Sequence, residues 1–209
     1  VRGGHSSFFG HLNTGKKSVV LDLKSKAGIA AAIEIAKQSD VVVENWRPGV
    51  ADRLGLGYEA LRALKKDIVY CSISGFGQKG PYAKRPAYAP VIHAASGYDL
   101  AQMEYNEGDK PQNTATYTAD VFGGMSAFAA IQSALFHRER SGEGQSVDVP
   151  MFETMTQFVM GDHLGGRSFV PAEGPTGYAR LLAHERRPYP TRDGHICALI
   201  YSNQHWKSF

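Results

Sequence analysis

The feature that most constrains this chain is residues 121–136, which carry no charge. Within that run Met125, Phe128, Ile131 and Leu135 recur at spacings of three or four, which predicts one face of a helix. Only Ser126, Gln132 and Ser133 dilute the other faces, so the helix is expected to be buried nearly all round. His137, Arg138 and Arg140 supply cations to its last turn, and Gly142 suits a left-handed terminal position. The uncharged run is shorter than the 18 or so residues of a membrane span, so no membrane partner is expected.

Asp120 stands where this helix begins. Its ordinary role there is an N-cap, accepting a first-turn N–H. Thr116 and Thr118 are available for the same task, which frees the carboxylate for chemistry. Gly123 and Gly124 each cost a helix roughly 1 kcal/mol relative to alanine. Their presence makes sense if something approaches the backbone beside Asp120. A helix N-terminus also stabilises negative charge developing on a reacting oxygen.

The remainder sets this helix in an α/β chain. Residues 1–15 read as a loop, 18–23 as a strand, 27–37 as a helix, 41–43 as a strand, 59–66 as a short helix and 68–74 as a strand. Strands without alternation, separated by helices, predict an open parallel sheet covered on both faces, with right-handed crossovers. Residues 75–112 hold Pro81, Pro86, Pro90 and Pro111 and read as loop-rich, with a short helix near 91–96. A strand at 145–149 and a helix at 151–160 follow. Residues 165–183 read as a linker, and 189–201 as a hairpin turning at Arg192-Asp193-Gly194 that begins a second domain. The first residue is Val1 rather than Met, and Phe209 falls inside an unfinished pattern, so a longer parent chain is expected. Cys71 and Cys197 sit in apolar runs and are expected as buried free thiols, which fits a reducing cytoplasm. A net charge of +3 without a basic, aromatic-interleaved stripe argues against a nucleic-acid partner.

Several motifs exclude chemistry. Gly75-Phe76-Gly77-Gln78-Lys79-Gly80 fits the dinucleotide pattern, but Pro81 and Pro86 oppose the helix that must open at its end, so no NAD is expected. No phosphate loop and no serine elbow occur. The eight histidines form no ligand pair, so no metal is expected. His93 is the one histidine of the loop region that could face Asp120, and it reads as a hydrogen-bonded structural histidine. Glu44-Asn45-Trp46-Arg47-Pro48-Gly49 follows the second strand on the rim where open sheets bind ligands, and Lys24 shares that rim. An aromatic, an amide and a guanidinium there suit a base and a phosphate. A solvated lysine and a turn arginine fit the spacing equally well.

Together these segments resemble the class III CoA-transferase family. The resemblance is carried by residues 13–24 (Asn-Thr-Gly-Lys-Lys-Ser-Val-Val-Leu-Asp-Leu-Lys), Glu44-Asn45-Trp46-Arg47-Pro48-Gly49, Arg53-Leu54-Gly55-Leu56-Gly57 and residues 72–81. Asp120 with its glycines, residues 138–145 and Tyr189-Pro190-Thr191-Arg192-Asp193-Gly194 complete it. The resemblance implies a Rossmann-like open parallel sheet with flanking helices in a large domain at 1–165, a linker at 166–185 and the start of a small domain at 186–209. It implies that the first strand and helix of the large domain, and most of the small one, lie outside this chain. It implies an interlocked homodimer and coenzyme A as co-substrate. It places the catalytic carboxylate at Asp120, CoA contacts at Leu21, Lys24, Asn45, Trp46, Arg47 and Arg53, and substrate or oxyanion contacts at Tyr88, Gly123 and Gly124. CoA would move from an acyl-CoA to a carboxylic acid through an aspartyl covalent intermediate. Two departures bear on this. Ala89 replaces an acidic residue that many members carry. Tyr88 stands where the racemase branch, acting on 2-methylacyl-CoA, has a histidine. Transferase is therefore preferred over racemase, and both over a non-catalytic CoA-binding module.

Overall fold

Residue 4 and residues 6–209 are described by a computed structural model of the chain. The expected N-terminal loop falls partly on residues 1–3 and 5, which lie outside the described residues. The rest of it holds a short helix, α1 (Ser7–Leu12), capped by Ser6 Oγ accepting the Phe9 N–H. Helix α2 (Lys26–Lys37) begins the same way, with Ser25 Oγ accepting from Gly28. Strand β1 (Val41–Glu44), helices α3 (Val50–Arg53) and α4 (Tyr58–Leu64), and strand β2 (Val69–Ser74) follow. Then come α5 (Ala89–Ala95), α6 (Tyr98–Tyr105), α7 (Thr118–Ser141), β3 (Ser146–Pro150) and α8 (Met151–His163).

The sheet is parallel, in the order β1-β2-β3, with Val41 opposite Val69 and Cys71 opposite Val147. Central β2 explains the missing alternation: both of its faces are covered. Tyr70 packs with Ala36, Ala51 and Leu61 beneath α2 and α4, while Cys71 packs with Ala127 and Val149 beneath α7. Burial pushes the Cys71 thiol up to about 11, reinforced by Glu44 and Asp148. A third cluster, Ala89, Ile92, Ala119, Met155 and Val159, ties α5, α7 and α8 together. The mixed α/β class with a parallel sheet and flanking helices agrees with the sequence expectation.

Five expectations are corrected. Residues 18–22 are not a strand, and Val20 is 95% exposed. A cavity of about 420 Å³, lined by Val19, Leu21 and Leu23 on one side and Val41–Val43 on the other, separates this segment from β1, so its backbone finds no partner strand. Helix α1 lies in the presumed loop, and α6 within the proline-marked region. Helix α7 is not buried all round: Val121, Met125, Phe128 and Phe136 are exposed, and the residues it buries are the small Ala119, Gly123, Ala127 and Ala134. Its end is as expected, with Gly142 left-handed at φ 74° and its N–H on Arg138 O. Finally, Cys197 is exposed, because the paired strands near it, β4 (Tyr189–Pro190) and β5 (His195–Ile196), are two residues each and cover nothing. Helix α9 (Ala179–Leu182) precedes them and α10 (Asn203–Ser208) follows.

Among the described residues α7 is one helix long and apolar enough, by length and composition alone, to cross a bilayer. It instead packs on β2, β3 and α8, and Arg138 in its last turn pairs with Asp40 at 3.1 Å.

Candidate functional site

Three chain turns converge at the carboxyl ends of the strands. The first leaves β1, where Glu44 accepts the Trp46 N–H at 2.8 Å and so holds Asn45-Trp46-Arg47 on the rim. The second leaves β2 through Gly75, where an added Cβ would lie 2.3 Å from Ala87 Cβ; only glycine permits that approach. No helix opens at Gly80; residues 81–85 run through turns and a bend. The third is the start of α7, which carries Asp120. Between them lies a cavity of about 420 Å³. Its walls include Asn45, Trp46 and Arg47, the segment Arg85-Pro86-Ala87-Tyr88, and Asp120 with Gly124.

Other cavities of similar size exist, among them one of about 560 Å³ near α10, lined by apolar residues together with Arg180, Glu185 and Arg186. What distinguishes the cavity at Asp120 is its place at the carboxyl ends of β1 and β2, where it sets Asp120 at the start of α7 beside Arg47 and Arg85. The Asp120 carboxyl is held above the usual carboxylate range by partial burial, against the opposing pull of its own backbone N–H. The Arg85 guanidinium lies 3.9 Å from the centre of the Tyr82 ring.

The sequence-predicted residues divide. Asn45, Trp46, Arg47, Tyr88, Asp120 and Gly124 line the one cavity. Leu21 lines the neighbouring cavity, which shares Trp46 as a wall. Lys24 and Arg53 are exposed and line neither. Gly123 faces inward, where a Cβ would meet Met151 Cγ at 3.2 Å, while Gly124 has open space. Both glycines lie inside α7, so their N–H groups are taken by the carbonyls four residues back. They allow close approach and are not free oxyanion donors. Neither Thr116 nor Thr118 caps the helix; their hydroxyls bond each other at 2.9 Å.

Two participants escaped the sequence reading. Arg85 was legible only as a cation in a proline-marked loop. Ser74, whose buried Oγ has no partner among the described residues, ends β2 at the cavity wall. His93 is 2% exposed and accepts the Ala119 N–H at Nε2, 3.0 Å away. It does not line the cavity.

Known proteins resemble this chain in sequence and in fold. The chain is 41% identical over 187 residues to the acetyl-CoA:oxalate CoA-transferase of Acetobacter aceti, covering 90% of this chain and 46% of that protein. It is 37% identical over 151 residues to a succinate–glutarate CoA-transferase of Agrobacterium fabrum, covering 72% of this chain and 37% of the other. A CAIB/BAIF family protein from Brucella suis superposes with a TM-score of 0.79 at 32% identity, over 93% of this chain and 51% of that one. The chain thus spans about half the length, or less, of the relatives it matches. The model of CoA-transferase family III matches residues 1–209, and the chain belongs to that family.

Proposed function

We propose that the protein moves CoA from an acyl-CoA thioester to a carboxylic acid, with Asp120 as the covalent carrier. The observation that carries the reading is that Asp120 shares one cavity with Asn45, Trp46 and Arg47. Arg47 offers a planar fork of donors for a phosphate, and the Trp46 ring a face for a base or pantetheine arm. Asn45 and Leu21 complete the CoA contacts, Leu21 from the adjoining cavity that shares Trp46 as a wall. Lys24 and Arg53, exposed nearby, meet CoA at its more distant charges.

An Asp120 oxygen attacks the thioester carbonyl; the C–S bond breaks, CoA leaves as thiolate, and a mixed anhydride remains. The thiolate attacks the Asp120 carbonyl, releasing the donor acid as carboxylate and leaving an aspartyl-CoA thioester. The acceptor carboxylate attacks that thioester, and CoA leaves again. The thiolate then attacks the acceptor's carbonyl, yielding the new acyl-CoA and the free Asp120 carboxylate. Each step trades one acyl bond for another, which is covalent catalysis by a carboxylate. The positive end of α7 favours the oxyanion that forms at each attack. No metal and no NAD enters the scheme.

The acids named for the relatives are oxalate, succinate and glutarate. We infer an acceptor of the same class, a short dicarboxylic acid, with Tyr88 and Gly124 at its side of the cavity. The racemase alternative requires a second base facing the substrate. His93 is walled in with Nε2 committed to a backbone N–H, so that base is missing. Partition into a large domain at 1–165, a linker at 166–185 and a small domain from 186, and an interlocked homodimer, belong to the same reading. The exposed apolar stripe of α7 supports a covered surface in the assembly.

Incubation with acyl-CoA and hydroxylamine should trap Asp120 as a hydroxamate, located by peptide mass mapping. Undiminished CoA transfer by an Asp120→Ala protein overturns the reading. CoA binding without turnover across a panel of dicarboxylic acids would favour a binding module instead.

A further inference from the structure

A helix leaves its first N–H groups without intrahelical partners, and those that are buried need an acceptor. At α7 the N-cap is Tyr117, which offers no side-chain cap, and the two threonine hydroxyls serve each other. Ala119 is 0% exposed, so water does not reach its N–H. The acceptor comes from 26 residues away: His93 Nε2 in α5, at 3.0 Å.

We propose that His93 is a positioning residue for Asp120: by accepting the Ala119 N–H it fixes the first turn of α7 and the direction in which the Asp120 carboxylate meets the cavity. The inference rests on the CoA-transferase reading of Asp120. An acceptor at Nε2 fixes the tautomer, with the proton on Nδ1. That Nδ1 is buried and has no hydrogen-bond partner among the described residues. Packing alone would be served better by an apolar side chain, since leaving a buried donor unpaired is costly. The surroundings are largely apolar. Met155 and Val159 of α8 belong to the cluster around Ile92, the residue beside His93, and the Tyr98 ring of α6 lies 5.3 Å away. The charged groups coupled to His93 are Asp99 of α6 and Asp120 itself. What the site requires of His93 is an acceptor at a fixed reach. Glutamine places its amide oxygen at about the reach of Nε2, and leucine keeps comparable bulk without an acceptor.

Two substitutions in the complete protein test this. His93→Leu should lower kcat about tenfold or more, the scale of one lost buried hydrogen bond, with KM for acyl-CoA within about twofold. His93→Gln should recover kcat to within about threefold of the unsubstituted protein. A purely structural role predicts no such rescue, and an unchanged kcat in His93→Leu overturns the proposal. An arm independent of turnover uses nitrogen-15 NMR. The unsubstituted protein should show the Nδ1–H tautomer at His93 and a protected Ala119 amide, and His93→Leu should speed exchange of that amide. The opposite tautomer, or an Ala119 amide indifferent to the substitution, defeats the inference. Absence of transfer by the unsubstituted protein defeats the functional reading instead, and the NMR arm still decides the role of His93.

Discussion

The two faces of α7 are built on opposite plans. The inward face presents Ala119, Gly123, Ala127 and Ala134, small and buried; the outward face presents Val121, Met125, Phe128 and Phe136, large and exposed. A helix oriented by side-chain hydrophobicity alone would turn the other way. What orients this one is backbone approach. Small residues four apart form a shallow row that lets α7 lie close on β2 and β3, where Ala127 meets Cys71 and Val149. Close approach at the sheet sets where α7 begins, and Asp120 lies one residue beyond the first buried alanine. The inward face therefore supports position, and the outward face stands open in this chain.

The largest effect expected along this helix is chemical. Asp120→Ala should reduce CoA transfer by on the order of 10³-fold or more, as removal of an acting nucleophile does, with CoA affinity little changed; steady-state assay with equilibrium dialysis measures both. The pH dependence follows from the raised carboxyl. Attack needs the ionised form, so the acid limb of kcat/KM should lie above the pH near 3.9 expected of an ordinary aspartate. The stability sign is opposite. A carboxyl whose folded pKa is raised contributes stability fully present below its unfolded pKa and lost as pH rises through the folded one. Asp120→Asn should thus melt higher than the unsubstituted protein at neutral pH, and that advantage should fade on acidification.

Next come the contacts that hold the inward face. Met155, 0% exposed, joins α8 to Ala119 and Ile92. Met155→Ala should cost about 2–5 kcal/mol of unfolding free energy, measured by urea titration. Ala127→Leu tests close approach from the other direction. Extra bulk at a position 3% exposed beneath the helix should cost about 1–3 kcal/mol and lower kcat with it, because α7 would lift from the sheet. If Ala127→Leu is neutral, the argument that small residues set the helix position fails.

The legible part of this molecule is where one residue's chemistry dictates one local outcome. Gly142 as a left-handed stop, the unalternating run of β2 and the lone carboxylate at a helix start are readable because each depends on its near neighbours. The wrong facing of α7 shows what was not. Hydrophobic periodicity reports which residues are apolar, but the choice between Phe128 out and Ala127 in depends on the shape of β2 and β3, distant in sequence. Residues 18–22 failed for the same reason: strand-like composition needs a partner backbone, which local sequence does not supply. At the site, Asp120 and the Asn45-Trp46-Arg47 corner could be found by motif. The bond from His93 to Ala119 could not, since nothing in either segment encodes the other. Helix α6 was obscured by the prolines around it, although it runs between Gly97 and Asn106 without one.

The smallest effect expected is also the sharpest check on the contrast between the faces. Phe128 is 67% exposed, so serine there should change the unfolding free energy of this chain by no more than about 0.5 kcal/mol. In a protein of this length that is a shift of about 1–2 °C in Tm. In the homodimer proposed above the same substitution has a different prediction, because a covered phenylalanine loses its burial on replacement. There Tm should fall by several degrees and the dimer should dissociate at higher protein concentration, read by light scattering. A large loss in this chain alone would mean that Phe128 already packs on it and that the outward face is not open. Equal, negligible effects in both would leave α7 exposed in the assembly too, and its apolar stripe would then have no part in holding two copies together.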